Sequence, residues 1–314
     1  MDLGLVVGID DYPRFRSLRG AAGDARSFHT WMCDPDGGGV APEHARLILS
    51  SPDPATPIHT QIDERLGELI EAADGLGGGR RLYFYFSGHG ATCPGGEVDD
   101  IALLLTNWSR SLARLAPSAR AYRGELATIG RFEELVIFLD CCRGPAERAV
   151  GLPPTMTLPL ASAPCATRQF VAHATEALRP AFESHGDHGW QGVFTRHLLA
   201  ILRGADRGIS ARDLEGALER DLASAGHRAH VVNELLESSR FGRRGTPPQL
   251  EIRFHAAAGR VRLRDGELRL VGELDAGPTP WCLSLQPGLY KLEGGGRAPF
   301  VFEHHGPTVT HVEF

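Results

Sequence analysis

Two stretches carry the most reactive side chains. YFSGHG (85–90) ends an apolar run in Ser87 and His89, and LVIFLDCCRG (135–144) ends another in Asp140, Cys141 and Cys142. A cysteine attacks a carbonyl carbon as its thiolate, and a nearby imidazole handles the proton. Backbone N–H groups must then hold the oxyanion, and Gly90 beside His89 leaves such an N–H unobstructed. The adjacent thiols admit three readings: one nucleophile, two core residues, or a redox or metal-holding pair. On a strand, successive side chains point to opposite faces, so Cys141 and Cys142 cannot meet one ligand. Cys141 then reads as packing, because free cysteine is among the most buried residue types. Cys142 reads as the presented thiol.

These placements require strands that end together. LGLVVGID (3–10), ARLILS (45–50), RRLYFYFSGHG (80–90), IALLLTN (101–107), LVIFLD (135–140) and RQFVAHATE (168–176) read as short strands. Between them, helical patterns cover 21–32, where Ala25, Phe28, His29 and Met32 share a face, and 56–74, entered at Thr56-Pro57. Further helices are expected over 125–135, 192–204 and 210–226, the last with Ser210 as its N-cap. The basic stretch 109–125 reads as helix or loop, and 143–168, rich in Pro, Ala and Thr, as a long exposed connection. Strand–helix alternation implies an α/β fold, a largely parallel sheet flanked by helices. In such sheets, sites form beyond the carboxyl ends of the strands. From about residue 250 the pattern turns to period two, with Asp-Gly, Pro-Gly and Gly-Gly-Gly turns, so a small all-β, sandwich-like module follows. The expected division is 1–245 and 246–314.

Composition narrows the function. The chain has 314 residues and a formal charge of −6, which argues against a nucleic-acid surface. No apolar run is long enough to span a membrane. MDLGLVVGIDD lacks the positive region and cleavage site of a signal peptide. Six cysteines (33, 93, 141, 142, 165, 282) lack any C-x-x-C spacing, so reduced thiols and a cytoplasmic location are expected. His185, His188, His304 and His305 lack a third convergent ligand and read as surface residues; no metal site is expected. Asp10 and Asp11 read as loop-capping residues.

The two motifs together resemble the caspase and metacaspase superfamily of cysteine peptidases. That signature places a Cys before Arg and Gly, with the His about 50 residues upstream. Here His89 stands 53 residues before Cys142 (142 − 89). The opening G-I-D-D-Y-P…L-R-G-A-A-G-D-A also resembles the metacaspase N-terminus, and the likeness runs over about residues 3–240. The resemblance implies Cys142 as nucleophile, His89 as general base, and the N–H groups of Gly90 and Cys142 as oxyanion hole. It implies that Asp24, Ser87 and Asp140 line the pocket for the residue before the cut. Two buried carboxylates want a cation, and arginine satisfies both with its planar fork. Aspartate-specific caspases carry arginines there instead. The expected substrate is therefore a protein or peptide with Arg, or Lys, at the cleavage site.

The chain departs from the metacaspase pattern at Ala21, Gly23 and Arg143, which stand where Cys, Asn and His are usual. No cofactor is expected, with calcium activation as the open alternative: EVDD (97–100) lies where calcium-dependent relatives keep ligands, at a poorly matching spacing. Family resemblance implies a latent state. Arg110, Arg114, Arg120, Arg123, Arg148 and Arg168 are the candidate processing points, and an activating protease or a partner docked on the β-module is conceivable. Bacterial relatives implicate defence or cell-death pathways. The competing reading is an inactive caspase-like scaffold or binding protein.

Overall fold

The β-branched and aromatic runs assemble into one six-stranded sheet. Its strands are β1 (Asp2–Gly8), β2 (Ala45–Leu49), β3 (Gly79–Ser87), β4 (Phe132–Asp140), β5 (Arg168–His173) and β6 (His230–Asn233). They lie in the order β6-β5-β4-β3-β1-β2. Every pairing is parallel except β5 with β6. The computed structural model describes all residues except 76, 93–99, 113–115, 145–150, 157–165, 177–178, 180, 187–188, 206–207, 237, 243–248, 255–258, 278–279, 286, 295 and 306–309.

Period-two alternation loads both faces of the sheet. Leu82, Phe84, Phe86, Leu135, Ile137 and Leu139 pack against α2 (His59–Asp74) and α3 (Ala119–Thr128) through Leu66, Leu69, Tyr122 and Leu126. On the opposite face, Tyr83, Tyr85, Val136 and Phe138 meet α1 (Ala21–Cys33), α4 (Val193–Gly204) and α5 (Ala211–Ser224) through Phe28, Met32, Phe194, Leu198 and Leu214. Each such side chain contributes roughly 1.5–3 kcal/mol by leaving water. This double burial fixes the strand ends. Register pairs Gly8 with Ser87 and Ser87 with Asp140, so three strands finish in one row. The residues that follow emerge together at the carboxyl edge, where open parallel sheets place their ligands.

Residues 1–243 form one compact unit and 244–314 a second. Within the second, a three-stranded sheet (Gln249–Arg253, Trp281–Ser284, Thr310–Glu313) and a four-stranded sheet (Gly259–Asp265, Leu270–Ala276, Gly288–Gly294, Arg297–His304) share one core. Leu250, Ile252, Val261, Leu263 and Leu292 form its centre.

Some local expectations are corrected. The helix expected from Thr56 starts at His59, because Ser51–Pro52 and Ala55–Thr56 pair as a short hairpin ahead of it. Gln61 Oε1 accepts the Ile58 N–H at 2.9 Å and caps that start. The helix expected over 125–135 belongs to α3, which begins after Ser118, its N-cap, and stops at Thr128; Gly130 then turns the chain at φ +63° into β4. Ser210 caps α5 as expected, accepting the Asp213 N–H at 3.1 Å. The edge strand β6 and the hairpin Glu183–Gly186/Gly189–Gly192 were not visible in the sequence pattern. Both are short, and neither alternates apolar with polar residues. His304 is buried rather than at the surface, with Nδ1 2.6 Å from Thr310 Oγ. His185 is exposed, as is His305 (75 % of its side chain), and His188 lies outside the described residues.

Candidate active site

β3 ends at Ser87, and the chain bends through Gly88 to deliver His89. Backbone and rings hold that imidazole on several sides. Its main-chain N–H donates to Tyr12 Oη at 2.8 Å, and Tyr12 Oη donates in turn to Leu104 O at 3.0 Å. The His89 carbonyl accepts from the Leu104 N–H at 2.9 Å. The ring lies 4.7 Å from the Tyr12 ring and 5.0 Å from the Phe15 ring. His89 Nε2 sits 2.6 Å from the Arg16 carbonyl oxygen. A carbonyl only accepts, so Nε2 carries the proton and, in the neutral ring, Nδ1 keeps its lone pair. Burial lowers the His89 pKa, and the Arg16 carbonyl opposes that in part.

β4 ends at Asp140 and delivers the two thiols. Cys141 is 2 % exposed and sits in the apolar cluster of the β3–β4 face. Cys142 is half-buried and lines a cavity of about 350 Å³ together with His89. Its Sγ accepts the Ala181 N–H at 3.3 Å. Burial raises the Cys142 pKa, the Ala181 hydrogen bond lowers it, and the Asp140 and Glu183 charges push it up further. The thiol therefore rests protonated. No hydrogen bond joins Cys142 to His89 among the described residues; each is held by a backbone group instead. Gly90 is buried and packs where a Cβ would come within 2.7 Å of both Cys141 Sγ and the Cys142 carbonyl oxygen. Only glycine lets the chain after His89 approach the chain at Cys142 so closely.

The same cavity holds Asp24, Ser87 and Asp140. Asp24, in the first turn of α1, is 1 % exposed. Its Oδ2 accepts the Gly192 N–H at 2.7 Å, while Oδ1 is buried without a partner. Asp140 Oδ2 accepts from Thr195 twice, from N–H at 3.1 Å and from Oγ at 2.6 Å. Ser87 is buried beside the Tyr85 hydroxyl, which also bonds Thr195. Burial, then the Asp140 charge, push the Asp24 carboxyl up to about 9. Burial raises Asp140 to about 6 against the lowering pull of the Thr195 hydrogen bonds. The largest charge effects on this pair come from other carboxylates, so its immediate surroundings are acidic; Arg16 also lines the cavity.

Five contributors were not singled out in the sequence: Tyr12, the Arg16 carbonyl, Glu183, Gly192 and Thr195. Tyr12 falls inside the G-I-D-D-Y-P opening and Thr195 inside the helical stretch 192–204, but nothing in their spacing marks them. Arg143 is 1 % exposed, its N–H donating to Arg179 O at 3.0 Å and its guanidinium to Thr175 O at 3.2 Å. Asp10 and Asp11 are structural anchors: Asp10 Oδ1 accepts the Ala21 N–H at 2.9 Å, and Asp11 Oδ2 accepts from Ser50 Oγ at 2.8 Å.

Of the candidate processing points, Arg110 lies in a 3₁₀ turn, Arg120 and Arg123 in α3, and Arg168 in β5 paired with Glu134. A peptidase needs a free extended chain, whereas three of these residues are in helical structure and Arg168 is paired into the sheet. Arg114 and Arg148 lie outside the described residues. So do residues 97–99 of the acidic segment, while Asp100 bonds Ser118 Oγ at 2.6 Å. Among the described residues, no three His, Cys, Asp or Glu side chains converge as metal ligands.

The caspase-domain peptidase family matches residues 1–235. The chain belongs to that family. A protein of a Desulfuromonadales bacterium described as a probable protease is 32 % identical over 219 residues, 64 % of this chain. The aligned part is 26 % of that protein, so this caspase-domain chain spans about a quarter of its relative's length. A crystal structure of a Geobacter sulfurreducens protein superposes with a TM-score of 0.50 at 16 % identity, covering 75 % of this chain and 94 % of that one. Caspase-1 of Spodoptera frugiperda gives 0.49 at 11 % identity, over 77 % and 90 %. Among the described residues, no helix of this caspase-domain protein is long and apolar enough to cross a membrane.

Proposed function

We propose that the chain is a cysteine endopeptidase that cleaves after arginine, and more weakly after lysine, using Cys142 and His89. The observation that carries this reading is the pair of buried carboxylates, Asp24 and Asp140, in the cavity that also holds the thiol and the imidazole. Asp24 Oδ1 is buried without a partner, and burial keeps the acid protonated while the recess is empty; a bound cation would supply the missing partner and favour the carboxylate. A guanidinium supplies that charge together with directed N–H donors.

In the proposed mechanism the protonated Cys142 thiol passes its proton to His89 Nδ1 as Sγ attacks the scissile carbonyl carbon. The oxyanion so formed rests on the Gly90 and Cys142 N–H groups. Collapse breaks the C–N bond, and His89 returns the proton to the leaving amine. A water, deprotonated by His89, then hydrolyses the thioester and restores the thiol. The Nε2–H bond to Arg16 O supports this by keeping Nδ1 as the acceptor. No step uses a metal.

The test is cleavage of a peptide library by wild type and by Cys142→Ala, each with calcium and with a chelator. Expected are products ending in arginine from wild type, none from the variant, and no requirement for calcium. Preference for acidic residues, or an active Cys142→Ala protein, would overturn the proposal.

A further inference from the structure

The recess holds a carboxylate beyond the pair. Glu183 opens the hairpin whose last residue is Gly192, and the two are paired directly across it. Gly192 is the residue pressed against both buried aspartates. The hairpin register therefore brings Glu183 to the recess, and its side chain lines the same cavity as Asp24, Asp140 and Cys142. Its position is fixed from the other wall: Glu183 Oε1 accepts the Gly20 N–H at 2.7 Å and the Arg19 N–H at 3.2 Å. Both donors fall on Oε1, and Oε2 takes none among the described residues. Asp24 Oδ1, nine-tenths buried and more, is likewise without a donor.

We propose that Glu183 is the third anionic wall of the basic-residue recess and the residue that makes it prefer arginine to lysine. This deepens the reading above and rests on it. A lysine ammonium concentrates three donors at one point, which two neighbouring carboxylates satisfy. A guanidinium spreads five N–H donors over a rigid plane, so two carboxylates on one side leave its far edge unpaired. Glu183 Oε2 supplies the acceptor for that edge. The Gly20 and Arg19 N–H groups hold the carboxylate before substrate arrives, so little side-chain ordering is left for binding. The Glu183 charge also acts on Asp24, Asp140 and Cys142, which fits a location among all three.

The test is steady-state cleavage, by the full chain, of two fluorogenic peptides that differ only in arginine or lysine before the scissile bond. Glu183→Gln keeps an oxygen to accept from Gly20 and Arg19 while removing the charge. It is expected to raise KM for the arginine peptide about ten-fold, the size of one charge-assisted hydrogen bond, with kcat nearly unchanged. The lysine peptide should change by less than about three-fold, so the arginine preference collapses. Glu183→Asp, which keeps the charge, should retain most of that preference. An unchanged preference in Glu183→Gln, a fall in kcat rather than a rise in KM, or a Glu183→Asp protein as unselective as Glu183→Gln would overturn the proposal. Wild type cutting neither peptide would instead remove the basic-residue reading itself, and with it the role of Glu183.

Discussion

The Gly192 N–H donates to Asp24 Oδ2 at 2.7 Å, joining residues 168 apart in the chain. A methyl group at position 192 would lie 2.1 Å from Asp140 Oδ2 and 2.9 Å from Asp24 Oδ2. Gly192→Ala must therefore shift the carboxylates or push the hairpin outward, at a cost of about 1–3 kcal/mol. Expected are a lower melting temperature and at least a roughly ten-fold loss of kcat/KM on arginine peptides. Kinetics equal to wild type would show that the two carboxylates can move without harm to the recess.

Asp24→Asn separates stability from activity through its pH dependence. The Asp24 carboxyl titrates at about 9 in the fold against an ordinary 3.8. Between those values the folded protein holds a proton that the unfolded chain has released. The unfolded state thus binds fewer protons there, and stability falls as pH rises. The penalty is absent below about pH 4 and complete above about pH 9; Asp140 adds a smaller one between 3.8 and about 6. Asp24→Asn should melt above wild type at pH 8, and the two should converge near pH 4, measured by calorimetry. Cleavage after arginine should fall about a hundred-fold or more, as for loss of one partner in a buried ion pair. Equal melting at pH 8 would mean that Asp24 ionises in the fold without cost.

The central strands of the main sheet were legible because each is a run buried on both faces, and such runs stand out in LVVGI, LYFYF and LVIFL. The sequence put the reactive residues only at neighbouring strand ends; the register that sets Ser87 beside Asp140 is seen in the structure. The sequence singled out side chains that can do chemistry, His89, Cys142, Asp24 and Asp140, and the fold brings these four to one cavity. What stayed hidden acts through the backbone or through a single contact. The Arg16 carbonyl and the Gly192 N–H belong to every residue type alike. Tyr12 and Thr195 matter for one hydroxyl each, and Glu183 reaches the recess only through the register of a hairpin that carries no periodic signal.

Cys141→Ser tests the separate roles of the adjacent thiols. Cys141 lies in an apolar cluster at 2 % exposure, where burial pushes its thiol pKa well up. A hydroxyl there must leave its donor unmatched, at a cost of about 1–3 kcal/mol. Chemical denaturation should show that loss, while kcat/KM on arginine peptides stays within about three-fold of wild type. Complete inactivation with normal stability would assign Cys141 a part in the chemistry.

Tyr12→Phe tests how tightly the imidazole must be held. The Tyr12 hydroxyl accepts from the His89 main-chain N–H at 2.8 Å and donates to the Leu104 carbonyl at 3.0 Å. The His89 carbonyl closes the circuit by accepting from Leu104. Phenylalanine keeps the ring beside His89 but strips a buried N–H and a buried carbonyl of their shared partner, worth about 1–3 kcal/mol each. If that circuit only stabilises the fold, melting falls and kinetics do not change. If it sets where Nδ1 meets the thiol, kcat falls about ten-fold with KM unchanged, because misplacing a base by a fraction of an ångström weakens proton transfer rather than binding. The second outcome is expected: the Arg16 contact fixes the ring's rotation, whereas the Tyr12 bond, with the Leu104 bond to the His89 carbonyl, holds the backbone from which the ring projects.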